Sequence, residues 1–155
     1  MCIRDRPIGL SHENLKTNAV ALSSEWGLKD SDVLLHTLPM YHIHGLLISL
    51  NAVLLSGANL IATPKFSVEE VMNYLERATI FMGVPTYYHR MLNHPMLKKI
   101  DYSKIRLFIS GSAPLSETIL AQFKSLTGHT ILESCLLYTS PSPRDATLSR
   151  MPSSA

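Results

Sequence analysis

The chain has 155 residues, 46% hydrophobic and 17% charged, with a net charge of +2. That is enough for one domain with its own core, and the composition excludes a disordered chain. No Lys/Arg stripe exists to mark a nucleic-acid binder: Lys98 and Lys99 are the only adjacent basic pair and read as a solvated loop.

Cys2 and Cys135 lie near opposite ends, at a spacing that matches no zinc or redox motif. A disulfide framework needs more cysteines, so a cytoplasmic setting is the default expectation. The longest apolar run, Gly45 to Leu55, is about half of the roughly 20 residues a membrane span needs and is interrupted by Ser49 and Asn51. The N-terminus has charges but no apolar core, so it is not a signal peptide.

Ser11 is placed to cap a helix through Asn14, Leu15, Ala19 and Leu22, with Gly27 as its stop. Val33–Leu38 reads as a buried strand, Gly45–Ser56 as an apolar helix ending at Gly57, and Asn59–Thr63 as a second strand. Ser67, Val68, Glu69 and Glu70 have the form of a capping box, followed by Val68, Val71, Met72 and Leu75 at helical spacing. Thr79–Val84 is a third strand, and Pro85 suits the first turn of a helix through Tyr88 and Leu92. Arg106–Ser110 is a fourth strand. Ser116–Leu126 is a helix with Ile119, Leu120 and Phe123 inward, stopped at Gly128, and Thr130–Glu133 begins a fifth strand. Apolar strands alternating with helices imply a doubly wound, mostly parallel α/β sheet. From Cys135 the periodicity stops: the Ser/Pro-rich segment 135–155, with Pro141, Pro143 and Pro152, is expected to be disordered. There is no internal repeat.

In such sheets ligands bind beyond the carboxyl ends of the strands. That rule points at four segments, following Leu38, Val84, Ser110 and Ser134. In the first, Tyr41, His42 and His44 can line a pocket, or form a polar turn with one histidine packed in. The His-x-His spacing also occurs in metal sites, but no nearby Cys, Asp or Glu completes a ligand set. In the second, Gly83 and Pro85 permit a sharp turn, and Thr86 sits at a helix start that favours anions. Arg90 follows one turn later on the same face. It is either a solvent-facing arginine or a bidentate clamp for a carboxylate. The third, Ser110-Gly111-Ser112-Ala113-Pro114, is a small-residue loop that lets a flat ring or phosphate approach the backbone; it lacks the Gly-Lys-Ser/Thr ending of a P-loop. The fourth runs through Glu133 and Ser134.

Taken in this order and spacing, the segments resemble the adenylate-forming (AMP-dependent synthetase/ligase) superfamily. Leu38–Leu46 resembles its pocket motif, with His42 at the aromatic-flanked histidine. Ile109–Leu115 resembles the loop along the adenine and acyl group. Thr127–Ser134 resembles the run into its Tyr-Gly-x-Thr-Glu motif. The similarity covers residues 10–134. Met82–Leu92 further resembles the malonyl-CoA synthetase branch, in which the arginine matching Arg90 binds the distal carboxylate of malonate or methylmalonate.

The resemblance implies part of the large N-terminal domain of an ATP-dependent acyl-CoA ligase, with ATP and Mg²⁺ as cofactors and CoA as co-substrate. It implies His42, His44, Arg90 and Ser110 on the substrate side, and Gly111, Ser112, Ala113, Pro114, Glu133 and Ser134 on the nucleotide and acyl side. The pattern is interrupted at both ends. A phosphate loop is expected where residues 1–9 stand, and Tyr-Gly-x-Thr-Glu where Cys135–Tyr138 stand. Both terminal segments resemble translated adaptor or vector sequence, so the chain is expected to be an inactive internal fragment. A medium-chain or aryl acyl-CoA synthetase fragment and a non-enzymatic α/β binding module are the alternatives. A mitochondrial home for the parent enzyme stays open.

Overall fold

Five short strands, β1 (Val33–His36), β2 (Asn59–Ala62), β3 (Ile80–Gly83), β4 (Leu107–Gly111) and β5 (Ile131–Ser134), pair in parallel in the order β2-β1-β3-β4-β5. The computed structural model describes residues 9–134. The leader expected at 1–9, Gly9 apart, and the tail expected at 135–155 lie outside the described residues. The mostly parallel α/β expectation is met, with every described pairing parallel.

The alternation of side chains along each strand sorts the core into two layers. Leu35, Phe81, Phe108 and Ile131 face α3 (Val68–Leu75), α4 (Pro85–Leu92) and α5 (Glu117–Thr127). Leu34, Ile80, Met82 and Ile109 face the other side, against α1 (His12–Glu25) and α2 (Asn51–Ser56). The sheet is therefore wound on both faces. In the first layer Phe81, Tyr88, Phe108 and Phe123 meet edge to face, with centroids 4.9 to 6.2 Å apart, a geometry that suits the ring quadrupoles. The strands at the two margins are less buried: Leu60 of β2 and Leu132 of β5 are exposed.

Three local expectations are revised. The helix expected over Gly45–Ser56 is π-helical over His44–Leu50 and α-helical only from Asn51. His44 and Ser49, five residues apart, are both buried, and the wider π turn brings residues at that spacing to one side. The capping box expected at Ser67–Glu70 forms in half. Ser67 accepts from the Glu70 N–H at 3.5 Å, but its hydroxyl donates to Glu69 instead of a return bond coming from Glu70. The full reciprocal box is at Ser11 and Asn14, where Asn supplies the acceptor. The Lys98–Lys99 segment, read as a loop, ends a 3₁₀ turn whose Leu97 is fully buried.

The strand beginnings are tied together by one acid. Asp32, 3% exposed, accepts from Arg106 Nε at 2.9 Å and Nη2 at 2.5 Å, from Thr79 Oγ1 at 2.7 Å and from the Lys29 N–H at 2.9 Å. Arg106 also donates to the carbonyls of Trp26 and Gly27. Burial by itself raises the Asp32 carboxyl, but the hydrogen bonds from Arg106, Thr79 and Lys29 outweigh it and bring it down to about 2. A lowered carboxyl contributes stability that is complete above the unfolded value near 3.8 and is lost as pH falls through 2. Asp32→Asn is expected to cost about 2–4 kcal/mol at pH 7 by urea unfolding, and to remove the part of the wild-type stability loss that falls between pH 4 and 2. Equal stability of the two proteins at pH 7 would contradict this account.

Candidate functional site

The sheet register sets the carboxyl ends of the strands in a row. His36 lies beside Met82, Met82 beside Ile109, Gly83 beside Ser110, and Gly111 beside Ser134. The chain leaves β1 through Thr37–Gly45, β3 through Val84 into α4, and β4 through Gly111–Leu115, so all these exits meet on one side.

Two adjoining cavities open there. One, of about 220 Å³, is lined by Leu38, Pro39, His42, His44, Gly45, Val84, Tyr87 and Ser112. Here His44 is buried while His42 is exposed. The His44 ring lies against Gly111, where an added Cβ would stand 2.5 Å from its Cε1. Its Nδ1 pairs with Ser112 Oγ at 3.2 Å. Ser112 holds φ at +71°, the one non-glycine residue in the left-handed region among the described residues, a conformation that needs external support. Burial, then the neighbouring His36 and His42, push the His44 imidazole down to about 4, so it is neutral at pH 7. Gly45 packs on the Pro39 carbonyl so closely that a Cβ there would collide with backbone.

The second cavity, of about 540 Å³, is lined by Thr37, Leu38, Pro39, Met40, Tyr41, Thr63, Pro64, Lys65, Phe66, Tyr87 and Arg90. Helix α4 aims two residues into it. Tyr88 and Met91 are fully buried, and Tyr88 Oη donates to the Ile109 carbonyl at 2.6 Å. That anchor turns Tyr87 and Arg90, again three residues apart, toward the cleft. Phe66 and Tyr87 stack with centroids 3.7 Å apart and planes within 8°, and the Arg90 guanidinium sits 5.1 Å over the Phe66 ring. Such stacking orders the guanidinium while leaving its edge donors open. The one ion pair found among the described residues joins Arg106 and Asp32. Arg90 makes no direct ion pair there, although the Glu69 carboxylate lies near enough to feel its charge.

The remaining expected residues are distributed around this centre. Ser110 is fully buried and its hydroxyl has no hydrogen-bond partner. Gly111 is buried, while Ser112, Ala113 and Pro114 form an exposed edge. Glu133 is exposed, and its carboxylate accepts the Leu115 N–H at 2.7 Å, closing the end of that loop. Ser134 is half-buried at the end of β5. Thr86, on the same helix as Arg90, is exposed.

Sequence reasoning passed over the segment after β2. The rule that named four strand exits also covers Thr63–Phe66, which supplies Lys65 and the ring beneath Arg90. It also passed over His36, whose buried ring pairs with Ser49 Oγ at 2.9 Å and Met40 Sδ at 3.1 Å. Among the described residues no three His, Cys, Asp or Glu side chains converge as a metal site. The donors present do not form a Mg²⁺ site, and no step through that ion is derived from them.

The model of the AMP-binding enzyme family matches residues 7–136. The chain belongs to this family. It is 36% identical over 146 residues to the mitochondrial malonate–CoA ligase of Homo sapiens, covering 83% of this chain and 25% of that protein. The ATP-bound structure of MatB from Rhodopseudomonas palustris superposes with a TM-score of 0.79 at 43% identity, covering 81% of this chain and 25% of that one. A malonyl-CoA ligase ternary product complex with methylmalonyl-CoA and AMP gives 0.72 at 33% identity, covering 78% and 27%. The chain thus spans about a quarter of the length of the relatives it matches. The malonyl-CoA branch named from the segment around Arg90 is the one these relatives carry. Among the described residues no helix is long and apolar enough to cross a membrane.

Gly111→Ala is expected to push the His44 ring out of its seat and break its bond to Ser112. Exposure then removes the burial that lowers the imidazole, so its titration, followed by NMR, moves up from about 4 toward 6.5. A His44 titration that stays put would show that the ring does not depend on the absent Cβ.

Proposed function

We propose that this chain forms the acid-binding part of an ATP-dependent acyl-CoA ligase that acts on malonate or methylmalonate. The observation that carries the reading is Arg90: a guanidinium over an aromatic ring, facing a cleft at the strand ends, with no direct ion pair among the described residues. Arg90 is exposed, so its guanidinium needs no protein counter-ion and its edge donors stay free for a ligand to engage. A second carboxylate on the substrate would do so, in a two-point hydrogen-bonded fork. A fatty or aryl acid would instead lay an apolar tail against the charge. The names of the relatives favour the same acids.

In this reading the distal carboxylate lies at Arg90, and the reacting carboxylate lies in the adjoining cavity by His44 and Ser112. The two cavities share Leu38, Pro39 and Tyr87, which gives a three-carbon diacid a short path between them. ATP lies along the exposed loop edge Ser112–Pro114, with Gly111 buried against the His44 ring. A carboxylate oxygen attacks the α-phosphorus and pyrophosphate leaves, giving acyl-AMP. The CoA sulfur then attacks the acyl carbon and AMP leaves. The residues described here orient the acid and hold it against water; alignment of this kind accounts for much of the rate in such transfers. His44, neutral at pH 7, offers the acid no competing positive charge at the reacting end.

Two measurements test this. In the full ligase carrying this segment, Arg90→Ala is expected to lower kcat/KM for malonate by about 10- to 150-fold, the value of a charge-assisted hydrogen bond, and to leave acetate within about threefold. An unchanged preference for malonate over acetate would remove the clamp. For the 155-residue chain by itself, about a quarter of its relatives' length, malonate-dependent ATP–pyrophosphate exchange is expected to stay at background. Clear exchange would overturn that.

A further inference from the structure

We propose that Lys65 is a second specificity-determining cation, acting on the same distal carboxylate as Arg90; this rests on the diacid reading above. Lys65 and Arg90 line one cleft, and none of the residues lining it is Asp or Glu. The nearby acid on α3, Glu69, feels the charge of Arg90 but is hydrogen-bonded to the Ser67 hydroxyl at 2.6 Å and not to either cation. Neither cation is in an ion pair among the described residues.

The turn that carries Lys65 is fixed at both ends. The Thr63 N–H donates to the His36 carbonyl at 3.0 Å, tying the end of β2 to β1, and Thr63 Oγ1 donates to the Lys65 carbonyl at 3.1 Å. The next residue, Phe66, stacks on Tyr87 and lies under the Arg90 guanidinium. Lys65 is therefore set on the cleft by the same few residues that order the guanidinium. Thr37, also in this lining, is 1% exposed and its hydroxyl has no hydrogen-bond partner. A buried orphan hydroxyl beside two unpaired cations is a lining suited to an oxygen-rich anion. The two cations act differently. Arg90 offers a planar fork, and Lys65 a compact charge with rotatable donors. The pair favours a substrate whose far end is charged and gives nothing to one whose far end is a methyl group.

The test uses the full ligase carrying this segment. Lys65→Gln is expected to raise KM for malonate about tenfold with kcat within about twofold, the pattern of lost ground-state binding. KM for acetate is expected to hold, Lys65→Arg to keep most of the malonate affinity, and Lys65→Glu to lose more than Lys65→Gln. The malonate KM of the wild type is also expected to rise more steeply with NaCl than that of Lys65→Gln, since the exposed Lys65 charge is screened. A malonate KM within twofold of wild type in Lys65→Gln, in an enzyme that does lose malonate preference on Arg90→Ala, overturns the role of Lys65 alone. An enzyme with no malonate preference in any form overturns the diacid reading and this inference with it.

Discussion

The Asp32 carboxylate is the point on which the arrangement of the sheet depends. It gathers the loop after α1 through Lys29, the start of β1, the residue before β3 through Thr79 and the residue before β4 through Arg106. Thr79 passes the connection on by accepting the Val33 N–H at 3.0 Å, and Arg106 reaches the carbonyls that end α1. A charge so nearly buried must have every lone pair occupied. Satisfying it leaves little choice in how three strands begin. With strands of four or five residues, a common starting line is also a common finishing line. The exits that build the two cavities are therefore level because the entries are pinned.

At the finishing line the support changes from charge to close packing and neutral hydrogen bonds. Gly111 lets the His44 ring lie flat on β4, and His44 in turn holds Ser112 in a backbone conformation that the residue would not adopt alone. The π turn makes this fit. It brings Ser49 to His36 and His44 to Gly111, so one irregular segment is stitched to two different strands. Both histidines are pushed toward the neutral form by burial, while Lys65 and Arg90 line the other cavity.

That division follows from which face of each element is buried. Helix α4 places Tyr88 and Met91 in the aromatic core, so Tyr87 and Arg90 stand on the cleft. The turn after β2 completes the charged end with Lys65 and Phe66. The chain belongs to the AMP-binding family, and the diacid reading proposed for it rests on this cleft. An arginine on an exposed helix face is ordinarily a solubility feature. Here a ring lies beneath it and a cavity before it, which is why it is proposed as a binding group.

Much of this was legible in the residues themselves. Apolar runs separated by Gly, Pro and Ser marked the five strands and the helices between them, most clearly for β1, β3 and β4, which are covered on both faces and so are apolar nearly throughout. Small residues, histidines and Arg90 at the strand ends pointed to the candidate site and to the family, and the family is shown by the match over residues 7–136. Three things were decided only by the tertiary structure. The π turn at His44–Leu50 exists because two polar residues five apart have partners on different strands, and an apolar sequence does not show where those partners lie. The Asp32 cluster joins residues 47 and 74 positions apart, a distance over which no local pattern carries information. The cleft needs Lys65 and Phe66 from one segment and Tyr87 and Arg90 from another. Each pair alone reads as ordinary surface, and only the parallel register of the sheet brings them to one wall.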